Sequence, residues 1–488
     1  MFVIAFILFF VSRIIYLFRF PIFNDEAMYL SWGEIIRNNP FNWTISMVID
    51  GKQPGLPLLL SFLFHLPYDP FMLGRYLSVF FSIISFVMYD QILRLYVSAM
   101  SHRFILLVLY TVIPYWLFYD RICLMESGVI AMALSAFYGY IQWIQTKRTR
   151  WGFFVGLTLG CGWWLKSTIL MVVAAILFGS LCGLKSKKIS LKEFFGFIFL
   201  MGVTLFITIS PSLMNSQFAN IAVRERERIL SFSELMRFPF GLWIQNIQKG
   251  FVWLAVYMVF IPVLGIGLPW IKNKKALTIP LQGLLWFATI FIIEIFVSRV
   301  FTARYLVLAG PFLLLAYAGV MVRTKYFFPL TFFATIIGII WSVCLIVSPF
   351  QYYRSLKFFP PAAADFSQYI LGWPSGWGVR EAIMWLKDTQ KKKSTLVYIR
   401  DDSGNPESAV LAYLLREPNY FIDYISHIQS TNQLLLKRAL DAQSVYFISR
   451  GTQLAHMENH LTLVKKFEKP YDSEYVGVYR FHTVDVDE

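Results

Sequence analysis

Two acids, Asp25 and Glu26, stand side by side directly after the first strongly apolar run of the chain, Met1 to Phe18. A carboxylate at such a boundary can act as a general base, taking the proton of a hydroxyl as its oxygen attacks. Charges at a membrane boundary can also be plain anchors in a solvated loop. Other charged side chains recur in similar settings. Lys52, in Asp50-Gly51-Lys52-Gln53-Pro54-Gly55, could point its ammonium at an anion or merely snorkel along apolar surface. Arg75 opens a later apolar segment and could serve a lipid phosphate. In Tyr119-Asp120-Arg121-Ile122-Cys123-Leu124-Met125-Glu126, the last residue would start a helix whose dipole favours an anion. Glu126 is there a cap, an ion partner of Arg121, or a further site carboxylate. Lys166 follows a Gly/Trp-rich segment end, and Arg299 and Arg304 bracket a short turn. A guanidinium matches phosphate in two-pronged fashion, though interfacial anchoring explains these positions equally well. The run Arg224-Glu225-Arg226-Glu227-Arg228 reads as a solvated helix face, or as part of a loop that closes over a substrate.

The elements that must position these residues belong to a membrane. Hydrophobic residues make up 57% of the 488 and charged residues only 15%, against about 25% in soluble domains; mean hydropathy is +0.57. No small-residue cleavage site follows the N-terminal apolar run, so it reads as a retained span. Apolar segments of spanning length fall near 2–18, 72–93, 104–119, 127–145, 151–165, 168–184, 194–211, 251–270, 279–297, 305–322 and 327–346, which makes about eleven spans. Basic clusters occupy every second connection: Arg94 and Arg103; Lys147, Arg148 and Arg150; Lys185, Lys187, Lys188 and Lys192; Lys272, Lys274 and Lys275; Arg323 and Lys325. Positive residues stay inside, so the N-terminus is expected to be cytoplasmic. The formal charge of +15 is then topological and no nucleic-acid partner is expected. In this orientation the Asp25-Glu26 loop (19–71), the Tyr119–Glu126 turn, the 212–250 loop, the Arg299–Tyr305 turn and the C-terminal region share the outer face. Cys123, Cys161, Cys182 and Cys344 show no metal or redox spacing and read as buried thiols.

From about Gln351 onward the composition changes. Thr395–Arg400, Ser444–Ser449 and Tyr475–Arg480 read as short strands, and Val379–Lys387 and Glu407–Leu415 as helices. The expected fold class is therefore a polytopic α-helical membrane protein, 1–349, with a small C-terminal α/β domain, 350–488, on the outer face.

Taken in order, these stretches resemble the polyprenyl-phosphate-dependent membrane glycosyltransferases of the GT-C class, within the protein O-mannosyltransferase and aminoarabinose-transferase superfamily. The resemblance rests on Asp25-Glu26, Gly51-Lys52-Gln53-Pro54, Arg121 to Glu126 and Arg304-Tyr305 to Pro311, and covers most of residues 20 to 320. Gly372-Trp373-Pro374-Ser375-Gly376-Trp377-Gly378 is similar to a stretch of small prokaryotic members. Glu126 departs from the more usual aspartate. Gly51 stands where some aminoarabinose transferases carry a metal-binding glutamate, and Gly55 breaks the usual register after Pro54.

The resemblance implies transfer of a sugar from a polyprenyl-phosphate donor to a hydroxyl of a protein, lipid or glycan, in a prokaryotic plasma membrane. It assigns Asp25 as base and gives Glu26 and Glu126 the tasks of orienting the acceptor or tuning Asp25. Lys52, Arg75, Arg304, Arg121 and Lys166 become candidates to hold the donor phosphate. With cations supplied by the protein, no divalent metal or other cofactor is required. A lipid or oligosaccharide transporter or flippase is the competing reading, but such proteins place their charges at mid-membrane, often on broken helices in repeated halves.

Overall fold

The structure is a computed structural model and describes residues 1–260, 278–391, 393–401, 404–424, 444–451, 461–472 and 474–481. Its membrane part is built from α1 (Phe2–Ile14), α2 (Asn24–Asn38), α3 (Pro70–Arg94), α4 (Met100–Val112), α5 (Met125–Thr146), α6 (Arg150–Leu165), α7 (Leu170–Lys185), α8 (Leu191–Leu213), α9 (Phe218–Arg228), α10 (Phe240–Tyr257), α11 (Thr278–Val297), α12 (Gly310–Met321) and α13 (Phe327–Val347). Among the described residues, six helical stretches are long and apolar enough to cross a bilayer: α3, α5, the α7 region, α8, α11 and α13. The shorter apolar helices α1, α4 and α12 complete the bundle.

Local sequence explains several breaks. Pro114 cannot continue α4, so the expected span 104–119 ends at Val112 and restarts as the short helix Pro114–Tyr119. The expected span at 251–270 instead begins at Phe240, and its far end lies outside the described residues, as do Lys272, Lys274 and Lys275. Polar Asn246 disguised that start. Its amide is buried and donates to the Ile295 and Ser298 carbonyls at the end of α11. Helices α6 and α8 meet along Gly152, Gly156 and Gly160. This small-residue stripe lets the α8 backbone at Phe197 and Met201 approach without an intervening side chain. Every residue of α12 is buried, which places it at the centre of the bundle.

The C-terminal domain contains α14 (Val379–Thr389), α15 (Glu407–Leu414) and strands β1 (Thr395–Ile399), β2 (Tyr420–Tyr424), β3 (Ser444–Arg450), β4 (Leu461–Glu468) and β5 (Tyr475–Phe481). The sheet order is β2-β1-β3-β5-β4, parallel at β2/β1/β3 and antiparallel at β3/β5/β4. The two central parallel strands are buried at every position, as a sheet covered on both faces requires. Tyr29–Ile36, the middle of α2, is buried between the membrane bundle and α15.

Candidate active site

Residues Asp25 and Glu26 occupy the second and third positions of α2. Successive helical residues diverge by about 100°, so neighbours in sequence face different surroundings. Glu26 turns inward and is fully buried. Its Oε1 accepts from Arg75 Nε at 2.9 Å and from the Cys123 N–H at 2.8 Å. Its Oε2 accepts from Arg75 Nη2 at 2.9 Å and from the Phe23 N–H at 3.2 Å, which closes the first turn of α2. Arg75, equally buried, gives its remaining donors to the carbonyls of Leu17, Phe20 and Pro21 at 2.6, 2.9 and 3.0 Å. Arg121 spends Nη1 on the Ser12 and Arg13 carbonyls and Nη2 on those of Ile15 and Tyr16, capping the orphan acceptors at the end of α1.

Glu26, Arg75 and Arg121, expected at the site, instead brace the chain around the end of α1 and the start of α2, and they line neither of the two cavities that Lys166 lines. Glu126 and Arg121 do not pair; the acidic partner in that turn is Asp120, which meets Arg13 at 3.0 Å.

Asp25 turns the other way and meets the rest of the predicted set. Arg304, on the short helix Ala303–Leu306, ion-pairs with both Asp25 and Glu126. Lys52 lies 3.4 Å from Asp25 and 2.8 Å from Asp50, and Lys166 lies 2.8 Å from Glu126 Oε1. Carboxylates and cations thus alternate from Asp50 through Lys52, Asp25, Arg304 and Glu126 to Lys166. Burial raises the Asp25 carboxyl, but Lys52 and then Arg304 outweigh it and hold the group well below the usual carboxylate range. Burial lowers Lys52, and Asp25, Tyr29 and Asp50 more than restore it. Both groups are charged at neutral pH. Lys52 also sits over the rings of Tyr29 and Trp32, and Lys166 over that of Tyr305, at 5.1, 5.8 and 5.1 Å.

Helix α9, the run that reads in sequence as a solvated face or a loop closing over a substrate, brings three further polar residues to the network. Arg224 pairs with Asp50 at 2.8 Å, Ser167 donates to Glu225 at 2.6 Å, and Arg228 donates to the Tyr305 hydroxyl at 2.9 Å. The signal was present in the spacing. Arg224 and Arg228 are four apart on a helix and share one face, whereas Arg226 and Glu227 point to solvent.

Around this network lies a cavity of 190 Å³, lined among others by Asp25, Lys52, Lys166, Arg224, Arg228 and Arg304. Next to it a second cavity of 380 Å³ runs along Leu170, Met171, Ile293 and Val297. Lys166, Glu225, Arg228 and Tyr305 line both. A polar chamber and an apolar groove thus share a cationic threshold. Among the described residues no group of three metal-ligating side chains occurs. The arrangement can hold an anion at the threshold and present Asp25 to a proton donor beside it.

No protein-family model and no curated protein sequence matches the chain. Solved structures do. The fold is similar to that of ArnT from Cupriavidus metallidurans bound to undecaprenyl phosphate, with a TM-score of 0.57 at 14% identity, over 98% of this chain and 96% of that one. Against ArnT from the same organism in the apo state the TM-score is 0.59 at 13% identity, with the same coverage. The likeness spans both the helical bundle and the C-terminal sheet domain, and it is a likeness of fold.

Proposed function

We propose that the chain transfers a sugar from a polyprenyl-phosphate donor to a hydroxyl acceptor. The observation that carries this reading is the cationic threshold shared by an apolar groove and a carboxylate-bearing chamber. A donor of this kind needs an apolar track for its chain, cations for its phosphate and a base beyond them. The ArnT structure bound to undecaprenyl phosphate has the same fold, which supports that class of donor.

The acceptor oxygen attacks the anomeric carbon while Asp25 takes its proton. The bond from that carbon to the phosphate oxygen breaks, and its electron pair leaves with the polyprenyl phosphate, in one inverting displacement. Glu126 holds Arg304 and Lys166 in place, and those two cations with Lys52 and Arg228 face the charge that develops on the leaving phosphate. Arg75, Arg121 and Glu26 have no part in this step. Five cations (Lys52, Lys166, Arg224, Arg228, Arg304) meet four carboxylates (Asp25, Asp50, Glu126, Glu225), a net charge of +1 that complements a phosphodiester monoanion. Asp25, Asp50 and Glu126 are engaged by these cations and Glu225 accepts from the Ser167 hydroxyl, so the reaction is expected to proceed without a divalent ion. The distribution of basic connections supports a cytoplasmic N-terminus and an outer-face site, and the likeness of Gly372–Gly378 to small prokaryotic members supports a prokaryotic plasma membrane. The sugar could be a hexose or a pentose, and the acceptor a protein, lipid or glycan.

The test uses the full chain in nanodiscs with a radiolabelled polyprenyl-phosphate hexose. Asp25→Asn should cut release of label from the lipid by about 10²–10⁴-fold while lipid binding persists. A variant that kept pace with wild type would remove Asp25 as base. A wild type that neither bound nor consumed such donors would favour a lipid transporter.

A further inference from the structure

The C-terminal domain lines the chamber directly at Gln368, away from the cationic threshold, and reaches the site a second way, through the helix that carries Asp25. Three buried hydrogen bonds join it to the start of α2. The Asn24 N–H donates to the Pro374 carbonyl at 2.9 Å. The Asn405 N–H donates to Asn24 Oδ1 at 3.0 Å, and Asn405 Nδ2 donates to the Ile22 carbonyl at 2.9 Å. Gly404, at φ +134°, allows this approach, since a side chain there would strike the Asn24 amide. At the other end of the helix, Arg416 Nη2 donates to the buried carboxylate of Glu34 at 2.9 Å, and its Nη1 to the Tyr68 carbonyl at 2.8 Å. Arg380 pairs with Asp69 at 2.9 Å, the cap residue of α3. Helix α2 is thus held from the membrane side at Glu26 and from the other side at both its ends.

We infer that the C-terminal domain is a positioning device for the base: Asn405 and Pro374 fix the first turn of α2, Arg416 fixes its last, and together they set where Asp25 meets the acceptor. This rests on the reading of Asp25 given above. The physical argument is one of tolerance. Asp25 is the second residue of α2, where orphan N–H groups must be met from outside the helix and the ends fray first. Arg75, Cys123, Pro374 and Asn405, all remote in sequence, restrain that turn, and displacement of a reacting group by about 1 Å costs on the order of a hundredfold in rate. Asn24 and Asn405 are separated by 381 positions in sequence, so their contact cannot arise from local chain geometry. The bonds at the first turn join backbone and amide groups, and the Arg416–Glu34 pair lies outside the chamber, so none of them carries charge into the cavity. Their effect on chemistry therefore passes through the placement of Asp25, whose charged neighbours are Lys52 from the loop after Asp50 and Arg304 from the turn before α12.

The experiment measures Asn405→Ala and Arg416→Ala in the full chain in nanodiscs, using the radiolabelled polyprenyl-phosphate hexose. For each variant kcat, donor KM, the acidic limb of the pH profile and Tm are determined. Both variants should lose about tenfold to a hundredfold in kcat with donor KM within about twofold, because the threshold residues are untouched. In both, the acidic limb should move up in pH as Asp25 sits less closely against Lys52 and Arg304. A variant that only destabilises the fold would lower Tm and scale the rate alike at every pH. That outcome, or an unchanged kcat in folded variants, overturns the proposal. Hydrogen exchange at residues 23–30 reads the clamp without turnover and should quicken in Asn405→Ala. A wild type that consumed no donor would defeat the transfer reading, and unchanged exchange would defeat the clamp by itself.

Discussion

At the scale of the residue, Asp25 and Glu26 differ by one peptide bond and almost everything else. Glu26 has four donors and no route to a cavity, and with Arg75 it forms an internal brace. Removing one partner of such a buried pair costs about 3–5 kcal/mol, so its role is in the fold. Asp25 keeps a face on the chamber and shares its cations with whatever anion enters. Those cations make it a weak base in the free protein, because they stabilise its ionised form. On the proposed function, a donor phosphate that engaged Lys52 and Arg304 would divide that stabilisation and raise the proton affinity of Asp25 as the substrate arrived. A distinct pH dependence follows. The acidic limb of kcat/KM reports the free protein and should lie below the usual carboxylate range, since ionised Asp25 is required and its ionisation is favoured there. The acidic limb of kcat reports the donor complex and should lie higher. Coincident limbs in the two profiles would show that donor binding leaves Asp25 undisturbed.

At the scale of the element, short helical pieces do the placing. The turn Ala303–Leu306 delivers Arg304 between two carboxylates, α9 lays Arg224 and Arg228 along one side of the chamber, and α6 ends on Lys166. The last of these depends on the glycine stripe between α6 and α8. Gly156→Leu would press a side chain against the α8 backbone at Met201, and overpacking of this kind costs about 1–3 kcal/mol. A clear fall in Tm is expected. Gly202→Leu, on α8 where nothing stands within 4 Å, should leave Tm within a degree or two and serves as the comparison. Equal shifts in the two variants would show that the stripe is not a packing contact. Strands were legible in sequence in proportion to their burial. β1, β3 and β5 carry apolar runs and were readable, whereas β4, Leu-Thr-Leu-Val-Lys-Lys-Phe-Glu, is an edge strand with mostly exposed side chains. β2 lies at the other edge and was equally silent.

At the scale of the whole molecule, charge is sorted along the bundle axis. Lys147 meets the Lys188 carbonyl at the far end of α5, 22 residues from the helix start at Met125 and Glu126, about 33 Å away. The site end gathers the alternating carboxylates and cations, the α9 segment and the C-terminal domain. If the proposed transfer relies on protein cations to meet the leaving phosphate, donor consumption should continue undiminished in excess EDTA. Loss of label release in EDTA, restored by magnesium or manganese, would assign the charge neutralisation to a bound metal. The sequence by itself determined the membrane class, the sided distribution of charge, the small α/β domain and the identity of Asp25, Lys52, Glu126, Lys166 and Arg304 as site candidates. Composition and span-end position are local properties, and they survive in a linear reading. Only the tertiary structure decided that Glu26, Arg75 and Arg121 are braces, that Arg224 and Arg228 join the chamber, and that the C-terminal domain grips α2. Each of those outcomes depends on which way a side chain leaves its helix and on partners tens to hundreds of positions away, and neither is written in the residue's immediate neighbours.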